Sequence, residues 1–314
     1  MNAPQQSKIE NRTSNTEERW TIGALLNWTA KFLAEKGSES PRLDTEVLLA
    51  QALDCRRIDL YTRYEEEASP ETRRSFRQLV GKRIEGCPVA YLVSRKEFFS
   101  LTFEVNPSVL IPRPDSEYVV MECLRLASEM PRPRVLDLGT GSGNLAVAVP
   151  HQHPGAHVVA VDKSPDALAV AQRNAVKHGV QDRIRFVLGD LFGPLAPDER
   201  FDFILSNPPY IPHAELDKLP IGVRDYEPHI ALNGGADGFA VFDRIIADAG
   251  SYLEPGGYLI VEIGAPQEKP ARERIVSLPG FELGDTIRDG SGHPRVLRAR
   301  WRGAARSSPS SSRD

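Results

Sequence analysis

Two short stretches of this 314-residue chain hold residue types suited to chemistry: DLGTGSGN at 137–144 and SNPPYIP at 206–212. In the first, Gly139, Gly141 and Gly143, with Thr140 and Ser142 between them, stand where an apolar run gives way to a helical one. Backbone without Cβ atoms at a helix N-terminus lets a ligand approach the N–H groups closely. Gly141, Gly143 and Ala146 also satisfy the GxGxxA spacing of dinucleotide-binding turns, so the loop alone leaves a nicotinamide enzyme open. About 20 residues on, Asp162 ends the next apolar run, where a carboxylate can accept both hydroxyls of a ribose; capping the helix from Ser164 is its alternative role. Asp190 ends the third run and can accept from an adenine amino group or serve a turn. In the second stretch, Pro208 and Pro209 lack backbone donors and force the chain out of its sheet after FDFIL. An Asn-Pro there can be a plain turn. The carboxyl ends of neighbouring parallel strands face one crevice, however, and a dehydrogenase has no use for Asn-Pro-Pro-Tyr in it.

These stretches need a scaffold, and the hydrophobic pattern supplies one. From residue 134, RVLDLGT, HVVAVDKS, IRFVLGD, FDFILSN and GYLIVEIG alternate with helical segments such as SPDALAVAQRNAVKHG and DGFAVFDRIIADAGSYLEPG. That alternation predicts a parallel sheet wrapped by helices on both faces. FELGDTIRD and HPRVLRARW are expected to close it as an antiparallel edge pair. Upstream, Trp20 to Ile84 reads as short helices, with Ser40-Pro41 and again Ser69-Pro70 as N-cap and first turn. KEFFSLTFEV and SVLIP, joined through Asn106-Pro107, predict a β-hairpin between the two domains. The expected divisions are a disordered 1–19, a helical domain over 20–94, a hairpin linker over 95–115, the α/β domain over 116–301 and a disordered tail over 302–314.

Lys+Arg 39 against Asp+Glu 43 gives a net charge of -4, which does not advertise a polyanion partner, so no stable nucleic-acid binding is expected. No run reaches membrane-span length and the start lacks the apolar core of a secretory signal, so no membrane and a cytoplasmic address are expected. Cys55, Cys87 and Cys123 lie outside any CxxC spacing, and His151, His153 and His157 fit a solvated helix end; no metal site is expected.

DLGTGSG, VDKSPDALAVAQRNA, SNPPYIP and EIGAPQ in this order, with LIPRPDSE upstream, resemble the HemK family of S-adenosylmethionine-dependent protein-(glutamine) methyltransferases, from about Trp20 to Trp301. The resemblance implies a class I methyltransferase fold, Rossmann-like with a mostly parallel seven-stranded sheet, and S-adenosyl-L-methionine as cofactor. It implies that Gly139, Thr140, Gly141, Ser142 and Gly143 hold the methionine part, Asp162 the ribose, and Asp190 and Leu191 the adenine, with Asn207 beside them. Leu191 stands where some relatives carry an aromatic ring. Within the family, the chain is more similar to the branch acting on peptide chain release factors, whose substrate is the glutamine of a Gly-Gly-Gln loop, than to the branch acting on a ribosomal protein. The helical domain would then dock the substrate. The alternatives are an adenine-amino methyltransferase on nucleic acid and a non-catalytic binding module, though the latter would not need an intact Asn207 to Tyr210.

An amide nitrogen is a poor nucleophile because its lone pair is delocalised into the carbonyl. Acceptors aimed at its N–H groups favour positive charge on nitrogen in the transition state, and the side-chain oxygen of Asn207 and the carbonyl of Pro208 can serve. Pro208 and Pro209 hold the turn rigid, and Tyr210 can pack on the flat amide. Phe98 or Phe99 can close the other side or simply pack in the core. No general base is required, since the proton becomes acidic only after the methyl group has arrived. Arg113 and Glu117 of PRPDSE are open between pocket contact and helix start, and EIGAPQ reads as scaffold.

Overall fold

A computed structural model describes residues 20–303; the segments 1–19 and 304–314, expected to be disordered, lie outside the described residues. Of the expected tail only 302 and 303 are described, and Arg302 N donates to Gly280 O. The chain divides into two compact units, Met1–Glu85 and Gly86–Asp314. No helix among the described residues is long and apolar enough to cross a membrane.

The first unit holds helices α1 (Ile22–Glu35), α2 (Pro41–Ala52), α3 (Asp59–Thr62) and α4 (Pro70–Ile84) around fully buried Ile22, Leu26, Leu33, Leu48, Leu49 and Leu60. Thr21 caps α1 by accepting from Ala24 N, and Ser69 caps α4 by accepting from Thr72 N. Ser40, expected to do the same for α2, makes no side-chain cap bond. Its own N–H is taken by the Ser38 hydroxyl, and Pro41, with no N–H to satisfy, starts the helix unaided.

The second unit runs α5 (Val89–Leu92), β1 (Arg95–Phe98), β2 (Leu101–Glu104), α6 (Glu117–Ala127), β3 (Arg134–Leu138), α7 (Asn144–Gln152), β4 (His157–Asp162), α8 (Pro165–Lys177), β5 (Ile184–Leu188) and β6 (Phe201–Ser206). It continues through α9 (Ile221–Arg224), α10 (Ala240–Tyr252), β7 (Leu253–Glu262), α11 (Glu268–Val276), β8 (Phe281–Leu283), β9 (Ile287–Arg288) and β10 (Pro294–Trp301). The sheet order is β5-β4-β3-β6-β7-β10-β8, with β9 also paired to β10. Strands β3 to β7 are parallel, as the alternation predicted. Period-2 geometry sends successive side chains to opposite faces. Thus Val135, Phe203 and Ile260 join one core layer, and Leu136, Ile204 and Val261 the other. Both faces being covered, the strands read as continuous apolar runs.

Two expectations are corrected. The C-terminal runs are not a simple edge pair: β10 lies inside the sheet, antiparallel to β7 from Val296↔Glu262 to Arg300↔Tyr258. FELGDTIRD is split into β8 and β9, so the outer position of the mostly parallel sheet is shared by two short segments and the sheet counts eight strands. At the break, Arg272 donates to Gly284 O and to Thr286 Oγ1. The hairpin, too, runs from Arg95 to Glu104 without any part of SVLIP, which forms no strand. Phe99 and Ser100 turn it at φ of 50° and 61°, left-handed positions usually given to Asn or Gly.

One buried side chain ties the hairpin both to the α/β core and to the glycine loop. Asn174 on α8, fully buried, accepts from Glu104 N at 2.7 Å and donates to Glu104 O at 3.0 Å and to Ser142 O at 2.9 Å. It therefore holds β2 and the 139–143 loop to the same helix. Asn174→Ala leaves these buried backbone groups without partners and is expected to lower the unfolding free energy by about 2–4 kcal/mol in urea titration. A loss within experimental error would contradict this tie.

Candidate active site

Strand β3 has β4 on one side and β6 on the other, so the strand order reverses there and a crevice opens at the carboxyl ends. The glycine loop leaves β3 at that point. Gly139, Gly141 and Gly143 have φ of 74°, 55° and 79°, conformations that L side chains rarely adopt. At Gly143, which starts α7, an added Cβ would also fall 2.9 Å from Ala171 Cβ. Asp162 supports the loop from β4: one carboxylate oxygen accepts from Gly141 N at 2.8 Å and the other from Ser164 N at 2.9 Å. Ser164 itself caps α8 by accepting from Ala167 N. Asp162 thus fills the structural role weighed for it and still lines the cleft, each oxygen keeping a further acceptor position.

Beneath the loop, Asp137 is 1% exposed and accepts from the Thr140 hydroxyl at 2.6 Å. Burial pushes its carboxyl up to about 7. Its other oxygen and the Ser142 hydroxyl are buried without a hydrogen-bond partner. A polar ligand group at the loop would answer that lack.

The cleft, about 920 Å³ including its open mouth, brings together Gly139, Thr140, Gly141, Ser142, Asp162, Asp190, Leu191, Asn207 and Pro209. Asp190 points its carboxylate at Arg244 of α10, with Oδ2 2.8 Å from Nη2. Leu191 holds a left-handed φ of 50°. Gly143, Pro208, Tyr210 and Phe99 are not among the cleft's lining residues. Pro208 is buried behind the turn. Tyr210 is largely buried, and this pushes its phenol up to about 12. Phe99 packs against Phe98, ring centroids 6.4 Å apart, at the edge of the core.

Of the two residues left open, Arg113 lines the cleft and pairs with Glu227 at 2.5 Å, whereas Glu117 accepts from Phe99 N and anchors the hairpin turn. Sequence reasoning missed Pro228, Ile230 and Ala231, which line the cleft from the loop after α9, and Ser108 to Leu110. The EIGAPQ scaffold reading matches Gln267, whose side chain donates to Tyr210 O and Gly238 O. Glu262 in the same segment was missed as part of the site. It accepts from Ser116 Oγ at 2.6 Å, and Ser116 Oγ accepts from Asn207 Nδ2 at 2.9 Å. A buried acid at the carboxyl end of a central strand was the available signal.

Two family models match the chain, the PrmC N-terminal domain over residues 24–93 and the Methyltransferase small domain over residues 118–220. Among solved structures, the hMettl16 catalytic domain is similar with a TM-score of 0.53 and 18% identity, over 73% of this chain and 83% of the other, which shows the fold alone. The chain is 44% identical to a release factor glutamine methyltransferase of Rhodopirellula baltica, over 91% of this chain and 97% of the relative. It is 46% identical to one of Geobacter sulfurreducens, over 90% and 98%. Identity at this level, sustained along nearly the whole of each relative, makes the chain a member of the release factor glutamine methyltransferase family.

Proposed function

We propose that this enzyme transfers a methyl group from S-adenosyl-L-methionine to the side-chain amide nitrogen of the glutamine in the Gly-Gly-Gln loop of peptide chain release factors. The observation that carries the reading is the placing of Asn207 on the wall of the cleft that the glycine loop opens into. Adjacent strand ends hold the two together, Leu138 opposite Ser206, with the Ser206 hydroxyl donating to Leu138 O at 2.8 Å.

The residues present fit the cofactor. The three left-handed glycines make a cradle, Ser142 keeps an unpartnered hydroxyl there, and Asp162 offers its remaining acceptor positions to a ribose. When bound, S-adenosylmethionine supplies an electrophilic methyl group. The protein's part is to hold the amide planar against that group and to accept from its N–H bonds as nitrogen loses conjugation. Asn207 Oδ1 and the Pro208 carbonyl are the acceptors in this reading. Pro208 and Pro209 keep the backbone from closing on itself, and Tyr210 stiffens the turn by its burial. Water takes the proton once the methyl group has made it acidic. Asp190 is engaged by Arg244, so adenine recognition through its carboxylate requires that ion pair to share or yield.

A glutamine reaching this cleft has to stand on a protruding loop, and glycines beside it permit the close approach. So small a tip gives little interface, and the first unit is the docking surface in this reading. There, exposed Trp28 stacks on Phe32, ring centroids 5.1 Å apart, above a groove bordered by Arg73, Arg74 and Arg77.

Mass spectrometry of a release factor incubated with the enzyme and S-adenosylmethionine should find one added methyl on that glutamine; methylation of DNA adenine instead would refute the reading. Asp162→Ala removes up to two charge-assisted bonds to the ribose and should weaken cofactor binding roughly ten- to a thousand-fold by calorimetry. Unchanged affinity would sink the ribose assignment. Asn207→Ala should keep cofactor affinity near wild type yet slow methyl transfer by about a hundred-fold or more. Full activity would show that this side chain is not catalytic.

A further inference from the structure

Behind Asn207 stands a chain of polar side chains that methyl transfer does not itself explain. Asn207 Nδ2 donates to Ser116 Oγ at 2.9 Å, and Ser116 donates to Glu262 Oε2 at 2.6 Å. Ser116 is 1% exposed and Glu262 2%. Glu262 is the last residue of β7, whose neighbouring Val261 pairs with Ser206, the residue before Asn207. Among the described residues no Lys, Arg or His forms an ion pair with Glu262. The nearby arginines are committed elsewhere, Arg113 to Glu227 and Arg295 to Asp115 and Asp289. A buried acid without a cation is costly to keep and adds nothing obvious to packing.

A hydroxyl has one hydrogen. Ser116 spends its hydrogen on Glu262, so toward Asn207 it can only accept, and the NH2 end of the Asn207 amide must face it. The other end, Oδ1, is turned away. We propose that Ser116 and Glu262 are positioning residues that fix the hydrogen-bond polarity of Asn207, so that Oδ1 rather than Nδ2 meets the N–H groups of the substrate amide. The inference rests on the reading of Asn207 as the acceptor for the glutamine amide.

The polarity matters because a glutamine amide nitrogen brings only donors. An Asn207 amide turned end for end would set NH2 against NH2 and reject the substrate in its reactive orientation. A carboxylate at Glu262 forbids that arrangement, because it can only accept. A protonated Glu262 permits it: the carboxyl donates to Ser116 Oγ, and Ser116 is free to donate to Oδ1 of the turned amide.

The groups facing Glu262 set where this change falls. Burial, and after it Asp115, push its carboxyl up, against the Ser116 hydrogen bond and the charges of Arg295 and Arg113, and the balance lies at about 7. Tyr210 also faces it but, raised to about 12, stays a phenol throughout. The polarity is therefore fixed above neutrality and lost as pH falls through about 7.

The test is single-turnover methyl transfer to a whole release factor at saturating S-adenosylmethionine, followed from about pH 5.5 to about pH 9. Wild type should show a rate that rises with pH through an inflection near neutrality. Glu262→Gln cannot ionise and, like the protonated acid, can donate to Ser116, so it should lose the inflection and stay near the wild-type low-pH rate across the whole range. Ser116→Ala should transfer roughly ten- to a hundred-fold more slowly while cofactor affinity stays within about two-fold. Adding it to Asn207→Ala should slow that variant no further, because Ser116 acts only through Asn207. An inflection unchanged in Glu262→Gln, or additive losses in the double variant, would overturn the proposal. If Glu262→Gln does not fold, the Ser116 and Asn207 cycle decides alone, with cofactor binding as the check on folding. Slow Asn207→Ala with wild-type Ser116→Ala would refute the positioning role only, whereas active Asn207→Ala would remove the catalytic reading beneath it.

Discussion

Leu138 and Ser206 stand opposite each other at the ends of two neighbouring parallel strands, and the site depends on that register. A parallel sheet brings carboxyl ends side by side, and the reversal of strand order at β3 keeps the following segments from covering them. The glycine loop and the Asn-Pro-Pro-Tyr turn are therefore neighbours although 68 residues separate Leu138 from Ser206. A slip of one residue in β6 would exchange its two faces, sending Phe203 and Leu205 to the wrong core layer. Apolar packing on both sides thus fixes, with side chains remote from the chemistry, where Asn207 emerges.

Beyond the strand ends the backbone is irregular and has no ladder to satisfy it. Buried and half-buried polar side chains do that work instead. Asn174 gathers Glu104 and Ser142, Glu227 accepts from Ile111 N and Arg113, and Gln267 donates to Tyr210 O and Gly238 O. Each joins segments far apart in the chain, and each is matched to the donors or acceptors that its loop leaves over. The rim is held by directional bonds where the sheet below is held by area, which suits a site that must place acceptors to within a fraction of an ångström. Asp137 and Glu262 depart from this pattern. Both are acids raised to about 7 by burial, one under each of the two motifs.

What was legible in the sequence is what is encoded locally. The apolar runs gave the parallel strands, the Gly-x-Gly-x-Gly spacing gave the glycine loop, and Ser69 is a cap with its bond made. Asp162 and Asn207 could be placed in the cleft because the first ends a strand and the second directly follows one, and the alternation had fixed both strands in the sheet. The features that escaped depend on partners distant in sequence or on unusual local conformations. Nothing in HPRVLRARW says that it inserts between β7 and β8, and nothing near Asp190 announces Arg244, 54 residues on. The Phe99-Ser100 turn carries neither Asn nor Gly, and its left-handed backbone is helped instead by Glu117 accepting from Phe99 N. Glu262 reads as a polar end to an apolar strand, and only the fold sets it beneath Ser116.

The central claim is that Asn207 presents its oxygen to a glutamine amide at the mouth of the cradle. Its most direct test is a crystal structure of the enzyme with S-adenosylhomocysteine and a release factor whose Gly-Gly-Gln loop enters the cleft. The account predicts the glutamine nitrogen at hydrogen-bond distance, about 2.7–3.2 Å, from Asn207 Oδ1 and from the Pro208 carbonyl, with Asn207 Nδ2 still on Ser116. A glutamine bound away from Asn207, or one met by Nδ2 with Oδ1 turned to Ser116, would contradict it.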